Sequence, residues 1–150
     1  MKSLSDLQTS AIELLKNLIA TPSFSTQEGR TAALLEQWFK DRGIPHKRHL
    51  NNVWALNKYY DPQKPSLLLN SHHDTVRPND AYTKDPFTPQ VIDGRLYGLG
   101  SNDAGGSLVS LLACFTYLWQ EEQLPYNLVY AGTAEEEING SNGIASVVPE

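Results

Sequence analysis

Three short clusters of side chains in this 150-residue chain could do chemistry, and each follows or adjoins an apolar run. The first is Leu67-Leu68-Leu69-Asn70-Ser71-His72-His73-Asp74. A turn after a strand needs only Gly, Pro, Asn or Ser, so two imidazoles and a carboxylate ask for another explanation. Residues i and i+2 of an extended segment point to the same side. His72 and Asp74 can therefore approach each other, while His73 points away. A metal-ligating imidazole commonly donates its other N–H to a carboxylate, which fixes the tautomer. Asp74 suits that role. Taken alone, the segment reads equally well as a polar strand terminus.

The second cluster is Glu135-Glu136-Glu137, which closes the apolar stretch Leu128–Ala131. Three adjacent carboxylates repel one another unless cations or water compensate. Acidic runs are usually solvated turns. In a metal site, neighbouring carboxylates divide the labour: one binds the ion and the next acts as general base. The third cluster is Asp103 within Tyr97-Gly98-Leu99-Gly100-Ser101-Asn102-Asp103-Ala104-Gly105-Gly106-Ser107. No Gly-Lys-Ser/Thr follows, so this is not a phosphate loop, and there is no Gly-x-Ser-x-Gly nucleophile elbow. What remains is a carboxylate on a tight loop at a helix start. A plain N-cap aspartate fits that description too. The three clusters pool imidazole and carboxylate without thiolate, a set suited to zinc, with cobalt or manganese also compatible. One aspartate bridging two ions would hold them roughly 3.5–4 Å apart.

The elements that must position these groups follow from periodicity. Leu4, Leu7, Ala11, Leu14, Leu15 and Leu18 predict a helix over 3–20, ended by Pro22. Ser25 and Glu28 have capping-box spacing and open a second helix over about 27–42, which stops at Gly43. Val53–Asn57, Ser66–Ser71 and Leu128–Ala131 read as strands, and Asp93-Gly94 centres a hairpin over 91–97. Residues 77–90 form a loop, an apolar helix spans about 105–121, and a last helix covers about 141–148. Alternating strands and helices imply an α/β fold, and such sheets gather ligands at the carboxyl ends of their strands. Two of the clusters lie at such ends, which makes them parts of one site.

Composition sets the outer bounds. Forty per cent hydrophobic residues support a folded core, and the formal charge of −5 argues against nucleic acid. No apolar run is long enough to span a bilayer. The single cysteine, Cys114, excludes an internal disulfide, and the N-terminal stretch lacks the apolar core of a signal peptide. A cytoplasmic protein with no membrane partner is expected.

In order, Ser71-His72-His73-Asp74-Thr75-Val76-Arg77-Pro78, the segment from Asp85 to Ser107, and Thr133-Ala134-Glu135-Glu136-Glu137-Ile138-Asn139-Gly140-Ser141-Asn142-Gly143 resemble three motifs of the dizinc amidohydrolases. That family includes acetylornithine deacetylase, succinyl-diaminopimelate desuccinylase, aminoacylase and glutamate carboxypeptidase. The chain is most similar to the acetylornithine deacetylase branch. The resemblance implies a three-layer α/β sandwich with a mixed, largely parallel central sheet flanked by helices. Residues 1–150 would be the N-terminal part of the metal-binding catalytic domain. The rest of that domain, and a smaller dimerisation or lid domain, would lie beyond.

Carried over by position, the resemblance implies two zinc ions. His72 ligates one, Glu137 ligates the other and Asp103 bridges them, with a cis peptide to Ala104. Asp74 orients His72, Glu136 is the general base, and Glu135 supports the loop. Leu99 and Gly105 stand where the family often has Arg and Lys, but neither is a ligand position. The implied reaction is amide hydrolysis of a small N-acyl amino acid, such as N-acetyl- or N-succinylornithine in arginine biosynthesis, by a homodimeric full-length protein. A dipeptidase or aminopeptidase of the same family, or a non-catalytic metal-binding remnant, are the alternatives. His46 and His49 are expected in a surface connection, Cys114 as a buried thiol, and Trp38, Trp54 and Trp119 on core faces. Arg77 and Asn79 face either a substrate or only the loop.

Overall fold

The computed structural model describes residues 3–147. Helix α1 spans Leu4–Ile19 and starts from a reciprocal cap, in which Asp6 N–H donates to Ser3 Oγ and Ser3 N–H donates to Asp6. Its buried stripe, Leu7, Ala11, Leu14 and Leu18, follows the helical period. Helix α2 spans Gly29–Lys40 and buries Ala32, Leu35, Trp38 and Phe39. Strands β1 (Lys47–His49), β2 (Asn52–Leu56) and β3 (Ser66–His72) follow. A small hairpin of β4 (Gln90–Ile92) and β5 (Arg95–Tyr97) turns at Asp93 and Gly94, both with positive φ. Helix α3 spans Gly106–Leu118 and β6 spans Asn127–Thr133.

The main sheet has the order β1-β2-β6-β3. It is mixed: β6 runs parallel to β3 and antiparallel to β2. The expected α/β arrangement of a mixed sheet with packed helices is therefore present, but the sheet is only partly parallel rather than largely so: among the described residues β3–β6 is parallel while β1–β2 and β2–β6 are antiparallel. One parallel pairing brings the ends of two strands together. It places Ser66 beside Asn127 and His72 beside Thr133, so β3 and β6 end at the same edge of the sheet. His73 N–H extends the ladder to Thr133 carbonyl at 3.0 Å.

Helices α2 and α3 cover the sheet face that carries Tyr130 and Gly132. Tyr130 is fully buried and meets Phe39 edge-on at 5.8 Å between ring centroids. A methyl group on Gly132 would lie 2.7 Å from Leu35 of α2 and 3.5 Å from Leu108 of α3. The opposite face, with Leu56 at 37% and Leu68 at 41% exposure, carries no helix among the described residues. No helix of the described residues is long and apolar enough to cross a membrane.

Several local expectations are corrected. The capping box of α2 does not form: Glu28 occupies the cap position without a capping hydrogen bond, and Ser25 turns to Asp74. Cys114 is exposed rather than buried. Helix α3 is apolar nearly all round, so periodicity could not select its buried side, which falls on Leu108, Leu112 and Phe115. Trp38 is buried, whereas Trp54 and Trp119 are half-buried. The stretch with His46 and His49 contains the short edge strand β1. The last expected helix is reduced to one tight turn, Ile144–Ser146, and 148 lies outside the described residues.

Gly132 is required by the closeness of α2. Gly132→Ala should lower the unfolding free energy by about 1–3 kcal/mol through overpacking. Urea denaturation of the two proteins measures this, and an unchanged midpoint would contradict the packing described.

Candidate metal centre

The site is assembled at the shared end of β3 and β6. His72 is the last residue of β3 and is buried. Its Nδ1 lies 3.1 Å from Asp74 carbonyl and 3.4 Å from Asp74 Oδ1. An N–H on Nδ1 is satisfied there, so in the neutral ring, the form that binds a metal, the lone pair lies on Nε2. Nε2 points at Asp103, 3.1 Å from Oδ1, with Glu136 Oε2 at 3.7 Å. One ligand atom each from His72, Asp103 and Glu137 can be chosen so that all lie within 4.8 Å of one another. The three expected ligands thus converge.

Asp103 reaches this point from an irregular turn over Ser101–Gly105. Its φ of −112° and ψ of 99° are not helical, and its peptide to Ala104 is cis, as expected. Gly100 permits the approach with φ +73°, and Gly105 N–H closes the turn on Gly100 carbonyl at 2.8 Å. A side chain on Gly105 would strike that same carbonyl at 2.5 Å. The N-cap reading of Asp103 is therefore set aside: α3 starts later, from Gly105, and receives no side-chain cap. The Asp103 carboxylate is 76% exposed, open to an entering ion.

The acidic run is not a plain solvated turn. Its three consecutive backbone N–H groups all donate inward to carboxylates. Glu135 N–H reaches Glu28 Oε1 at 3.2 Å, Glu136 N–H reaches Asp74 Oδ1 at 3.1 Å, and Glu137 N–H reaches Asp74 Oδ2 at 3.2 Å. The side chains then diverge. Glu135 is buried and accepts from Asn142 N–H and Nδ2, closing the 135–142 loop as expected for its supporting role. Glu136 is 62% exposed over the centre, and Glu137 turns towards Asp103.

Electrostatics follow from this geometry. Hydrogen bonding to Asp74 raises His72 to about 9, against the opposing effect of burial. Burial alone would push Asp74 up, but hydrogen bonds from His72, Ser25 and the N–H groups of Glu136 and Glu137 bring it down to about 2. Burial and then Asp103 raise Glu137. One imidazole and two carboxylates crowded within reach of one ion suit zinc, cobalt or manganese, and their mutual repulsion favours a cation. The residues present fit such a metal.

His73 faces the other way, as its position in the strand predicts. It lies 2.8 Å from Thr31 Oγ1 and donates from Nε2 to Asn51 carbonyl at 2.9 Å. The reading of the sequence missed Ser25, Glu28, Thr31 and Asn51 as supports of the site. The only available signal was Ser25 with Glu28, whose spacing matches a helix cap.

The model of peptidase family M20/M25/M40 matches residues 68–149, which contain all five candidate site residues. The chain belongs to that family. It is 32% identical over 146 residues to succinyl-diaminopimelate desuccinylase of Stenotrophomonas maltophilia, covering 93% of this chain and 38% of that protein. Among solved structures, an M20 metallo-carboxypeptidase of Sulfolobus solfataricus superimposes with a TM-score of 0.73 at 23% identity, over 91% of this chain and 33% of the other. A dinuclear metal-binding M20 peptidase of Bacillus subtilis gives 0.68 at 20% identity, over 95% and 39%. These M20 structures share the fold described above. The chain spans little more than a third of the length of the relatives it matches.

Burial pushes His73 down to about 4. A folded value below the unfolded one means that stability is present above about pH 6.5 and is lost as pH falls towards 4. Between pH 6.5 and 4.5 the metal-free protein should lose about 2–3 kcal/mol from this group. Urea denaturation with chelator at those two pH values, on the parent and on His73→Gln, measures it. An equal loss in both proteins would remove His73 as the cause.

Proposed function

We propose that this protein is the metal-binding portion of a hydrolase that cleaves the amide bond of a small N-acyl amino acid. N-acetyl- and N-succinyl-amino acids, including the ornithine derivatives, are its leading substrates. The observation that carries this reading is the convergence of His72, Asp103 and Glu137 beside an exposed Glu136. The 32% likeness to a desuccinylase favours an acyl group over a second amino acid. Dipeptidase activity is the second reading, since human carnosine dipeptidase 1 shares the fold with a TM-score of 0.72 at 22% identity, over 97% of this chain and 36% of that one.

His72, Asp103 and Glu137 would hold a pair of zinc ions, with Asp103 shared. When bound, such ions lower the pKa of water to about 7 and polarise the acyl carbonyl. Asp74 keeps the His72 proton on Nδ1, so that Nε2 stays a donor atom for metal. Glu136 is exposed and stands at the solvent side of the centre, 3.7 Å from His72 Nε2. Its carboxylate takes a proton from the attacking water and returns it to the departing amine. The amide bond breaks, the acyl group leaves as a carboxylate and the amino acid is released.

The longest form of the protein that contains these 150 residues provides the test, with metal content and hydrolysis of N-acetyl- and N-succinylornithine as readouts. Glu136→Ala should lower turnover by about a hundredfold or more with bound zinc unchanged, as expected for loss of a general base. Asp103→Ala should lose both zinc ions and all turnover. Zinc lost with Glu136 would make it a ligand, and two zinc ions retained without Asp103 would end the bridging assignment.

A further inference from the structure

Besides Asp74 and Glu135, the structure holds a buried carboxylate that the proposed chemistry does not use. Glu28 is 0% exposed. Its three hydrogen-bond partners all donate to it: Thr26 N–H at 2.7 Å and Glu135 N–H at 3.2 Å on Oε1, and Asn51 Nδ2 at 2.8 Å on Oε2. No cationic side chain among the described residues pairs with it, and the neighbouring Arg48 pairs with Glu36. Burying a carboxylate without a cation is unfavourable unless fixed donors replace its water. Here one of those donors comes from the acidic loop, 107 residues away in sequence.

Helix capping does not account for this side chain. Glu28 stands at the start of α2 yet makes no capping bond to it. The bond to Thr26 would suffice for a local turn. The other two bonds tie the α2 start to the β1–β2 turn and to the first residue of the loop. Asp74 accepts the next two N–H groups of that loop. Glu28 therefore accepts from the first of three consecutive N–H groups, that of Glu135, one residue before the general base and two before a ligand.

We infer that Glu28 is a positioning residue: its carboxylate fixes the start of the 135–137 loop and thereby the aim of Glu136 and Glu137. The catalytic part of this inference rests on the proposed hydrolase reading; the loop part does not. Asn51 contributes by holding Oε2, which leaves Oε1 facing Thr26 and Glu135.

The test compares Glu28→Gln with Glu28→Ala. Amide hydrogen exchange is read at Glu135–Glu137 in metal-free protein, followed by the visible absorption of the protein loaded with cobalt(II) alone. Glu28→Gln keeps an acceptor oxygen for Thr26 and Glu135 and gives up only the bond from Asn51 Nδ2, so its loop should exchange within about threefold of the parent. Glu28→Ala should speed exchange at Glu135–Glu137 by at least about tenfold more than at Val129–Ala131 of β6, the mark of local rather than global opening. Its cobalt absorption should shift, and that of Glu28→Gln should not. If Glu28→Ala fails to fold, Glu28→Asp replaces it: one methylene shorter, it loses reach to Glu135. Equal acceleration in β6 and in the loop, or an unchanged cobalt spectrum in Glu28→Ala, would overturn the positioning role. A parent protein that takes up no cobalt refutes the hydrolase reading instead, while the exchange pattern still decides whether Glu28 holds the loop.

Discussion

The buried carboxylate of Asp74 is the interaction on which the site depends. It is fully enclosed and accepts from Ser25 Oγ at 2.7 Å and from the N–H groups of Glu136 and Glu137, with His72 Nδ1 at 3.4 Å. These partners come from three separate places in the chain: the link before α2, the end of β3 and the loop after β6. Such a group can exist only where the fold has already brought its donors together. The parallel, in-register pairing of β3 with β6 does that, because it ends both strands at one edge. An antiparallel pairing would send Glu135–Glu137 to the far end of the sheet, and Asp74 would lose its two backbone N–H donors.

The same logic explains how three glutamates in a row are tolerated. Backbone and side chains separate their tasks. The backbone N–H groups point inward onto Glu28 and Asp74, where buried negative charge needs donors. The side chains then leave in three directions, into the loop at Asn142, out to solvent, and towards Asp103. A positive φ of 56° at Glu135 permits that divergence. The unusual conformation and the unusual sequence are one feature.

The chemistry of this site was more legible than its scaffolding. His72, Asp74, Asp103, Glu136 and Glu137 stood out because titratable groups followed apolar strands or sat among glycines, and the structure brings all five together. The α/β alternation was legible for the same reason, since helices and strands bury residues at different periods. The supports were not. Ser25 and Glu28 carry a correct local signal for a helix start, yet tertiary contacts recruit both side chains elsewhere. Nothing in a single sequence marks a glutamate for complete burial. Cys114 failed differently: in a helix apolar on nearly every side, periodicity carries no direction.

The metal-free electrostatics of the site point the same way as its geometry. His72 titrates high because Asp74 and its acidic neighbours favour the imidazolium. Glu137 is raised by burial and by Asp103, which favours its neutral form. Both shifts act in one sense, adding positive charge or removing negative charge at one point. Protons answer that demand only in part, because a proton on His72 Nε2 serves Asp103 and leaves Glu137 unpaired. Divalent metal held by the imidazole and the two carboxylates would answer it for all three at once. The buried carboxylates behind them make no such demand, because each is already supplied with N–H or O–H donors. The division is physical: carboxylates satisfied by the fold hold the site in shape, and those left unsatisfied by it face the position a metal would take.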